Sequence, residues 1–164
     1  MRCVLFILYA ILIMLGANIY FVKAGIEDYT DFTVKWKGLR ILKMDGFLAQ
    51  GEPKNIYTAS WINSNKEDVF VPDKVCYENP DVEISFIIDD FHDSTVDVRA
   101  VHKNFISYMT SHQVTIKSEY AGAESKFVCL DSYEPTTIIV NRPTGRNYIM
   151  GTLTMHRIDE NTYL

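Results

Sequence analysis

Residues 80–117, PDVEISFIIDDFHDSTVDVRAVHKNFISYMTSHQVTIK, decide the fold that this sequence predicts. Apolar and mostly polar residues alternate over 82–88, which is the period of a strand with one buried face. After an acidic loop, apolar residues recur every three or four positions over 98–109, so they share one face of a helix. Residues 114–117 alternate again. Since no other helix is predicted, this helix must pack its apolar face against a β-sheet.

The helix is predicted over 95–111, with Ser94 as its N-cap. Asp97 follows three positions later, which nearly matches a capping box: the hydroxyl and the carboxylate can each accept a backbone N–H that the helix leaves unpaired. The loop before it contains several acids and one histidine. These could hold a divalent metal, but acids are also favoured at a helix N-terminus by the helix dipole. The second explanation is the simpler one for Asp89, Asp90, His92 and Asp93.

The rest of the 164-residue chain has β patterning broken by turn signals. Alternation over 32–36 predicts an early strand, and Trp36 and Trp61 are predicted to lie in the core. Gly151 falls within the last strand, where it indicates a bulge or a close approach. We therefore predict a mainly β (α+β) fold, a β-sandwich or barrel of about nine strands with a single flanking α-helix, formed by residues 18–164 as one domain.

Residues 1–17 form an apolar N-terminal segment, with no charged residue over 4–17. One interpretation is a secretory signal peptide, cleaved after the small residue Ala17 or Ala24.

Two other interpretations of the N-terminus stay open. A membrane anchor over 4–22 would have about 19 residues, just enough to span a bilayer. Alternatively, Met14 is the true start, residues 1–13 are an upstream translation artefact, and 18–22 is the first strand of the domain.

Composition and motifs argue against several functions. The net charge is −5 without a dominant basic patch, which disfavours specific nucleic-acid binding. No nucleophile elbow, phosphate-binding loop or zinc-ligand spacing occurs, and His102 and His112 are too far apart along the helix to share an ion. We therefore predict a non-enzymatic protein without cofactor or bound metal. Cys76 and Cys129 could pair in an exported chain, although reduced cysteines are favoured.

Four segments carry a resemblance to a small protein encoded among tail genes in prophages of Bacteroides-type gut bacteria: FIID (86–89), DVRAVHKNFISYM (97–109), SYEPTT (132–137) and YIMGTLTMH (148–156). The layout is similar to that of tail-tube and distal-tail proteins, in which a β-sandwich or barrel carries one helix and subunits stack as rings. The resemblance implies a virion structural protein that is assembled in the host cytoplasm, associates with itself and with other tail proteins, and catalyses nothing.

Carried onto this chain, the resemblance implies that two loops make the assembly contacts, the loop 63–68 and the hairpin loop 141–147. Their exposed polar and basic side chains are the candidate contact residues: Asn63, Asn65, Lys66, Arg142 and Arg146. Exposed arginines suit a partner's carboxylates.

The apolar N-terminus departs from the tail pattern, because a tail subunit needs no export signal. With the tail interpretation, Met14 becomes the favoured start. The alternative is a secreted or membrane-anchored β-sandwich that binds a ligand or partner at the cell surface, with residues 4–22 as its signal or anchor.

Overall fold

The structure is a computed structural model that describes residues 20–49, 53–54, 57–60, 67–70, 76–140, 146–158 and 162–163. These residues form thirteen strands and two helices: β1 Tyr20–Ala24, β2 Thr30–Asp31, α1 Phe32–Lys35, β3 Leu39–Asp45, β4 Pro53–Lys54, β5 Tyr57–Ser60, β6 Glu67–Phe70, β7 Cys76–Tyr77, β8 Asp81–Asp89, α2 Val98–Ser111, β9 Val114–Ser118, β10 Ala123–Val128, β11 Pro135–Ile139, β12 Tyr148–Arg157 and β13 Thr162–Tyr163.

Nine strands form one antiparallel sheet, in the order β2-β1-β9-β10-β12-β8-β3, with β11 also paired to β12 and β13 to β10. Two further pairs, β4–β7 and β5–β6, are separate. The predicted mainly β class with one substantial helix is confirmed. The sheet is open, because its path ends at β2 and β3, so the closed barrel that the sequence left possible is not formed.

The strand–helix–strand unit predicted at residues 80–117 is at the centre of the fold. β8 pairs with β12 at nine consecutive positions and with β3 on its other side. Its inward residues Val82, Ile84, Phe86 and Ile88 are fully buried. On α2, Phe105 and Met109 are fully buried as well, and the helix contacts β8 and β12, as its apolar face predicted.

The predicted strand over 32–36 was wrong, because this segment is the short helix α1. The Asp31 carboxylate accepts the Thr33 backbone N–H at 2.6 Å and caps the turn. The helical turn still buries Phe32 and Trp36, so the prediction that Trp36 lies in the core is confirmed. Trp61 lies outside the described residues.

The predicted N-cap was also wrong: α2 begins at Val98 and its cap is Asp97, not Ser94. The Asp97 carboxylate accepts the backbone N–H groups of Arg99 and Ala100, both at 3.1 Å. The preceding residues form a separate turn, in which Asp93 accepts the backbone N–H of Thr95 at 2.9 Å. Asp97 therefore caps the helix by itself instead of completing a capping box.

Replacing Asp97 by Ala is expected to lower the free energy of unfolding by about 1 kcal/mol, because two N–H groups lose their acceptor. Ser94→Ala is the matched control, and its effect should stay within about 0.5 kcal/mol since Ser94 is exposed and does not cap the helix. Urea unfolding of both variants measures this difference. Equal losses of stability, or a larger loss for Ser94→Ala, would mean that Ser94 does cap the helix, as the sequence indicated.

Gly151 marks a close approach, one of the two alternatives that the sequence indicated. A Cβ at this position would lie 2.3 Å from the Tyr133 hydroxyl oxygen, so only glycine leaves room for that ring. Tyr133 stacks on Phe86, the residue that pairs with Gly151 on β8, at 5.9 Å between ring centroids. The bulge of this region lies on the partner strand β11, between Pro135 and Thr137.

Both predicted loops join paired strands. β5 and β6 pair in register from Tyr57↔Phe70 to Ser60↔Glu67, so β6 begins within the predicted 63–68 loop. β11 and β12 pair up to Ile139↔Tyr148, on either side of the 141–147 loop.

Candidate functional site

The described residues place a group of charged side chains at one end of the sheet, where α2 begins. We call this the α2 end; it consists of residues 37–40, 89–99 and 146–148. Asp89, at the end of β8, is 3% exposed, forms an ion pair with Arg40 and accepts the Phe91 backbone N–H at 3.1 Å. The buried carboxylate therefore holds one side of the Arg40 guanidinium. The Arg40 side chain as a whole remains 47% exposed.

The second buried carboxylate, Asp90, joins the loop before α2 to the start of β12. It accepts the backbone N–H of Asn147 at 2.8 Å and the side-chain Nδ2 of Asn147 at 2.7 Å. The Asp90 backbone N–H donates in return to the Asn147 carbonyl at 3.2 Å. Three hydrogen bonds between two residues hold Asn147, just before β12, against the loop that precedes α2.

Asp93 has partners different from those of the other two carboxylates. It forms an ion pair with Lys37 and accepts the Thr95 hydroxyl at 2.6 Å, and these partners hold its pKa well below the usual range. His92 is exposed. The acidic loop therefore directs its side chains to separate partners, and the described parts of the chain contain no group of three His, Cys, Asp or Glu residues that could hold a metal.

Arg146 is the one predicted assembly residue that the structure describes. It is exposed, and its φ of 71° is in the left-handed region, which costs a residue other than glycine about 1 kcal/mol. The next residue, Asn147, is held by its hydrogen bonds to Asp90. Asn63, Asn65, Lys66 and Arg142 lie outside the described residues.

Two clefts of about 320 and 180 Å³ lie at the α2 end, one on each side of Val96. Lys37, Arg40 and His92 line the larger cleft, and Arg99 and Asn147 line the smaller one. Asp89 and Asp93 also line the larger cleft, and Asp97 lines the smaller one, so both clefts have basic and acidic side chains together.

A second polar pair lies beneath α2. His102 Nε2 is 3.0 Å from the Tyr133 hydroxyl, and both rings pack on Phe86. Burial lowers the pKa of His102 and raises the pKa of Tyr133 to about 12. Both groups are thus neutral at pH 7, and the hydrogen bond satisfies two half-buried polar atoms.

Stability is expected to depend on the ionisation of His102. Because its pKa is lower in the folded state, the unfolded chain takes up a proton first as the pH falls through about 6.5. The free energy of unfolding should therefore fall below pH 6.5 and level off once the folded-state pKa is passed. His102→Gln, which keeps a hydrogen-bonding group for Tyr133, should flatten this decline.

Urea unfolding of the wild type and of His102→Gln at several pH values between 5 and 8 checks this prediction. The offset between the two curves above pH 7 gives the cost of the substitution itself. Curves that stay parallel down to pH 5 would contradict the prediction.

His112, His156 and Cys129 have local partners. His112 Nδ1 lies 3.1 Å from the Tyr108 carbonyl at the end of α2, and His156 pairs with Asp81 at 2.7 Å. Cys129 is a free thiol whose pKa burial raises, and its Sγ donates to the Asp131 carbonyl at 3.4 Å.

Comparison of the chain with protein-family models and with curated proteins finds no match. Among the described residues, neither helix has the length and apolar character needed to cross a membrane.

Proposed function

We propose that this chain is a non-enzymatic phage tail (virion) structural protein that assembles by self-association into rings or a tube. The observation that carries the proposal is the open sheet. Its path ends at β3 on one side and at β2 on the other, and these edges differ in length and sequence. Contact between unlike edges of neighbouring copies is heterologous, which is the type of interface that a ring or a tube requires.

Exposed apolar side chains on the outer strands add support. Leu42 lies at the register shift of β3 and is 54% exposed, and Ile138 on β11 is 55% exposed. Single exposed apolar side chains are common on monomers, so these two are available to a contact between copies but do not by themselves require one. The resemblance of the four segments to a prophage tail protein agrees with such a role.

The position of β1 bears on how the chain begins. Tyr20, Val22 and Ala24 of β1 are buried, and β1 lies between β2 and β9 inside the sheet. Cleavage after Ala24 would remove this strand, and a membrane anchor over 4–22 would withdraw three of its five residues. A start at Met14 leaves β1 complete, as the tail proposal requires.

The alternative proposal is a secreted or membrane-anchored protein that binds a ligand or partner at the cell surface. Among the export routes, cleavage after Ala17 agrees best with the described sheet, because this position lies before β1 and leaves the sheet intact. An anchored form would need its membrane segment to end before Tyr20.

Intact-mass analysis of the native protein separates the two proposals. A chain that begins at Met14 supports the tail protein, whereas a chain that begins at Asn18 supports export. A chain that begins at Gly25 would contradict the described sheet.

Light scattering of the same native protein over a range of concentrations tests self-association, and electron microscopy tests rings or tubes. A mass that grows with concentration, with rings or tubes in the images, is the expected result. A strict monomer at high concentration would overturn the tail proposal.

A further inference from the structure

β11 has a partner strand on one side only. Among the described residues of the nine-stranded sheet, β11 pairs with β12 and with no other strand. In an antiparallel pair, the residues of a strand alternate between those that bond the partner and those that direct their backbone N–H and C=O away from it. The backbone of β11 can therefore bond a further strand along its other side.

The side chains of β11 are accessible to such a strand. Ile138 lies opposite Ile149 in the β11–β12 pair, so both side chains are on the same face of the sheet. Ile149 is 3% exposed, whereas Ile138 is 55% exposed. Thr136 is exposed as well. The packing that buries β12 therefore stops short of β11 and leaves more than half of the Ile138 side chain in water.

The two outer strands of the sheet have features that hinder strand pairing, namely charged side chains, irregular register and short length. β3 carries Arg40, Lys43 and Asp45, and its pairing with β8 is irregular between Ile41 and Lys43. β2 has only two residues. Contacts between copies at β2 and β3 therefore depend on side chains more than on backbone hydrogen bonds.

β11 has no charged residue. Its sequence is PTTII, Val140 follows, and no charge occurs over 135–140. Its proline and its register shift both lie at its start, so Thr137–Ile139 pair regularly with β12. Threonine, isoleucine and valine are the residues that suit a strand best. β11 therefore offers a regular, uncharged edge to a further strand.

We propose that this further strand is β11 of a second copy, which pairs antiparallel across a twofold axis perpendicular to the sheet. A strand without charges is complementary to itself, because no like charges meet across the axis. β3 of a second copy fits less well, since its charged side chains would meet no opposite charge on β11. The contact is isologous, so it goes beyond the proposed ring or tube, which requires a heterologous contact.

The register of the pair follows from the middle of the regular stretch. The Ile138 side chains of the two copies lie opposite each other, and Thr137 of each copy lies opposite Ile139 of the other. This register covers both exposed isoleucines, and β-branched cross-strand pairs stabilise a sheet. Because β11 contributes only five residues from each copy, the contact is small and the dimer is weak.

Sedimentation velocity of the native-length protein from about 10 µM to about 1 mM tests the contact, because weak dimers dissociate within this range. Ile138→Lys and Ile138→Glu each place two like charges opposite each other at the centre of the pair. Both replace an exposed side chain, so the fold should stay intact. Leu42→Lys is the matched control, since Leu42 is 54% exposed but lies on β3.

The wild type and Leu42→Lys are expected to contain dimers as their smallest associated species. Each Ile138 variant should sediment as a monomer at concentrations at which the wild type is dimeric. A 1:1 mixture of the two Ile138 variants should regain the dimer, because a lysine then lies opposite a glutamate. Such rescue also shows that both variants are folded.

Assemblies that form equally in the wild type and in both Ile138 variants would overturn the β11 contact and leave the proposed self-association standing. Ile138 variants that keep the wild-type circular dichroism but stay monomeric when mixed would overturn the contact as well. Wild-type dimers without rings or tubes in electron micrographs would support the β11 contact and contradict the tail proposal. A wild type that is monomeric at every concentration would overturn both.

Discussion

Replacing Arg157 by Met is expected to lower the free energy of unfolding by about 3–5 kcal/mol. Arg157 ends β12, is 4% exposed, and donates to three backbone carbonyls of the turn after β3. Its Nη1 donates to Ala49 at 3.0 Å, and its Nη2 donates to Gly46 at 2.9 Å and to Phe47 at 2.6 Å. Methionine fills a similar volume but leaves these buried acceptors without a donor.

Chemical denaturation of Arg157→Met measures this loss, with Arg99→Met as the matched control. Arg99 is exposed on α2, so its replacement should change stability by no more than about 0.5 kcal/mol. Arg157→Lys should lie between the two, because an ammonium group cannot reach all three carbonyls in the planar geometry of a guanidinium. A loss under about 1 kcal/mol for Arg157→Met would mean that the turn does not depend on this side chain.

Phe105→Ala is expected to cost about 3–5 kcal/mol, the usual range for removing a buried phenylalanine. Phe105 is fully buried on α2 and is the aromatic residue that joins α1, α2 and β8. Its ring centroid lies 4.8 Å from that of Phe86, 5.1 Å from that of Trp36 and 6.4 Å from that of Phe32. The cavity would remove contacts on all three elements.

Tyr120→Ala is the control for this second substitution, since Tyr120 is 82% exposed in the β9–β10 turn and should contribute little. Near-ultraviolet circular dichroism adds an independent signal, because Trp36 packs edge-on against Phe105 and should lose its fixed environment. An unchanged unfolding midpoint for Phe105→Ala would show that the helix is not packed on the sheet as described.

The elements with long, regular patterns could be predicted from the sequence. β8, α2 and β9 follow a period of two or of 3.6 over enough residues to fix both their type and their buried face. The secondary structure of short segments could not be predicted in this way. Phe32 and Trp36 suit either a strand or a single helical turn, and a local hydrogen bond from Thr33 to Asp31 decides for the helix.

The candidate site was only partly predictable, because its geometry depends on pairs that are distant in sequence. The sequence identified the acidic loop and favoured its role at the helix N-terminus, but it gave no sign that Asp90 would bind Asn147, 57 positions away. The same is true of Asp89 with Arg40, 49 positions away. The proline and glycine of the 141–147 loop indicated a turn. That its last residue, Asn147, binds Asp90 follows only from the sheet register.

Arg157 shows why a period of two should be continued through charged residues. Its position on β12 has the parity of the buried residues Leu153 and Met155, so it faces the core. A charged residue is seldom buried alone, so residue type by itself argues against placing this position in the core. The carbonyls that accept from the guanidinium come from a turn that the sequence does not place near β12.

The pairing of β1 has a consequence for synthesis. β1 lies inside the sheet, but its neighbour β9 comes much later in the chain, with Tyr20 opposite Ser118. On the ribosome, the apolar residues of β1 therefore emerge long before the strand that covers them. During that interval Tyr20 and Val22 stay uncovered, and the sheet can enclose them only after residue 118 has left the exit tunnel.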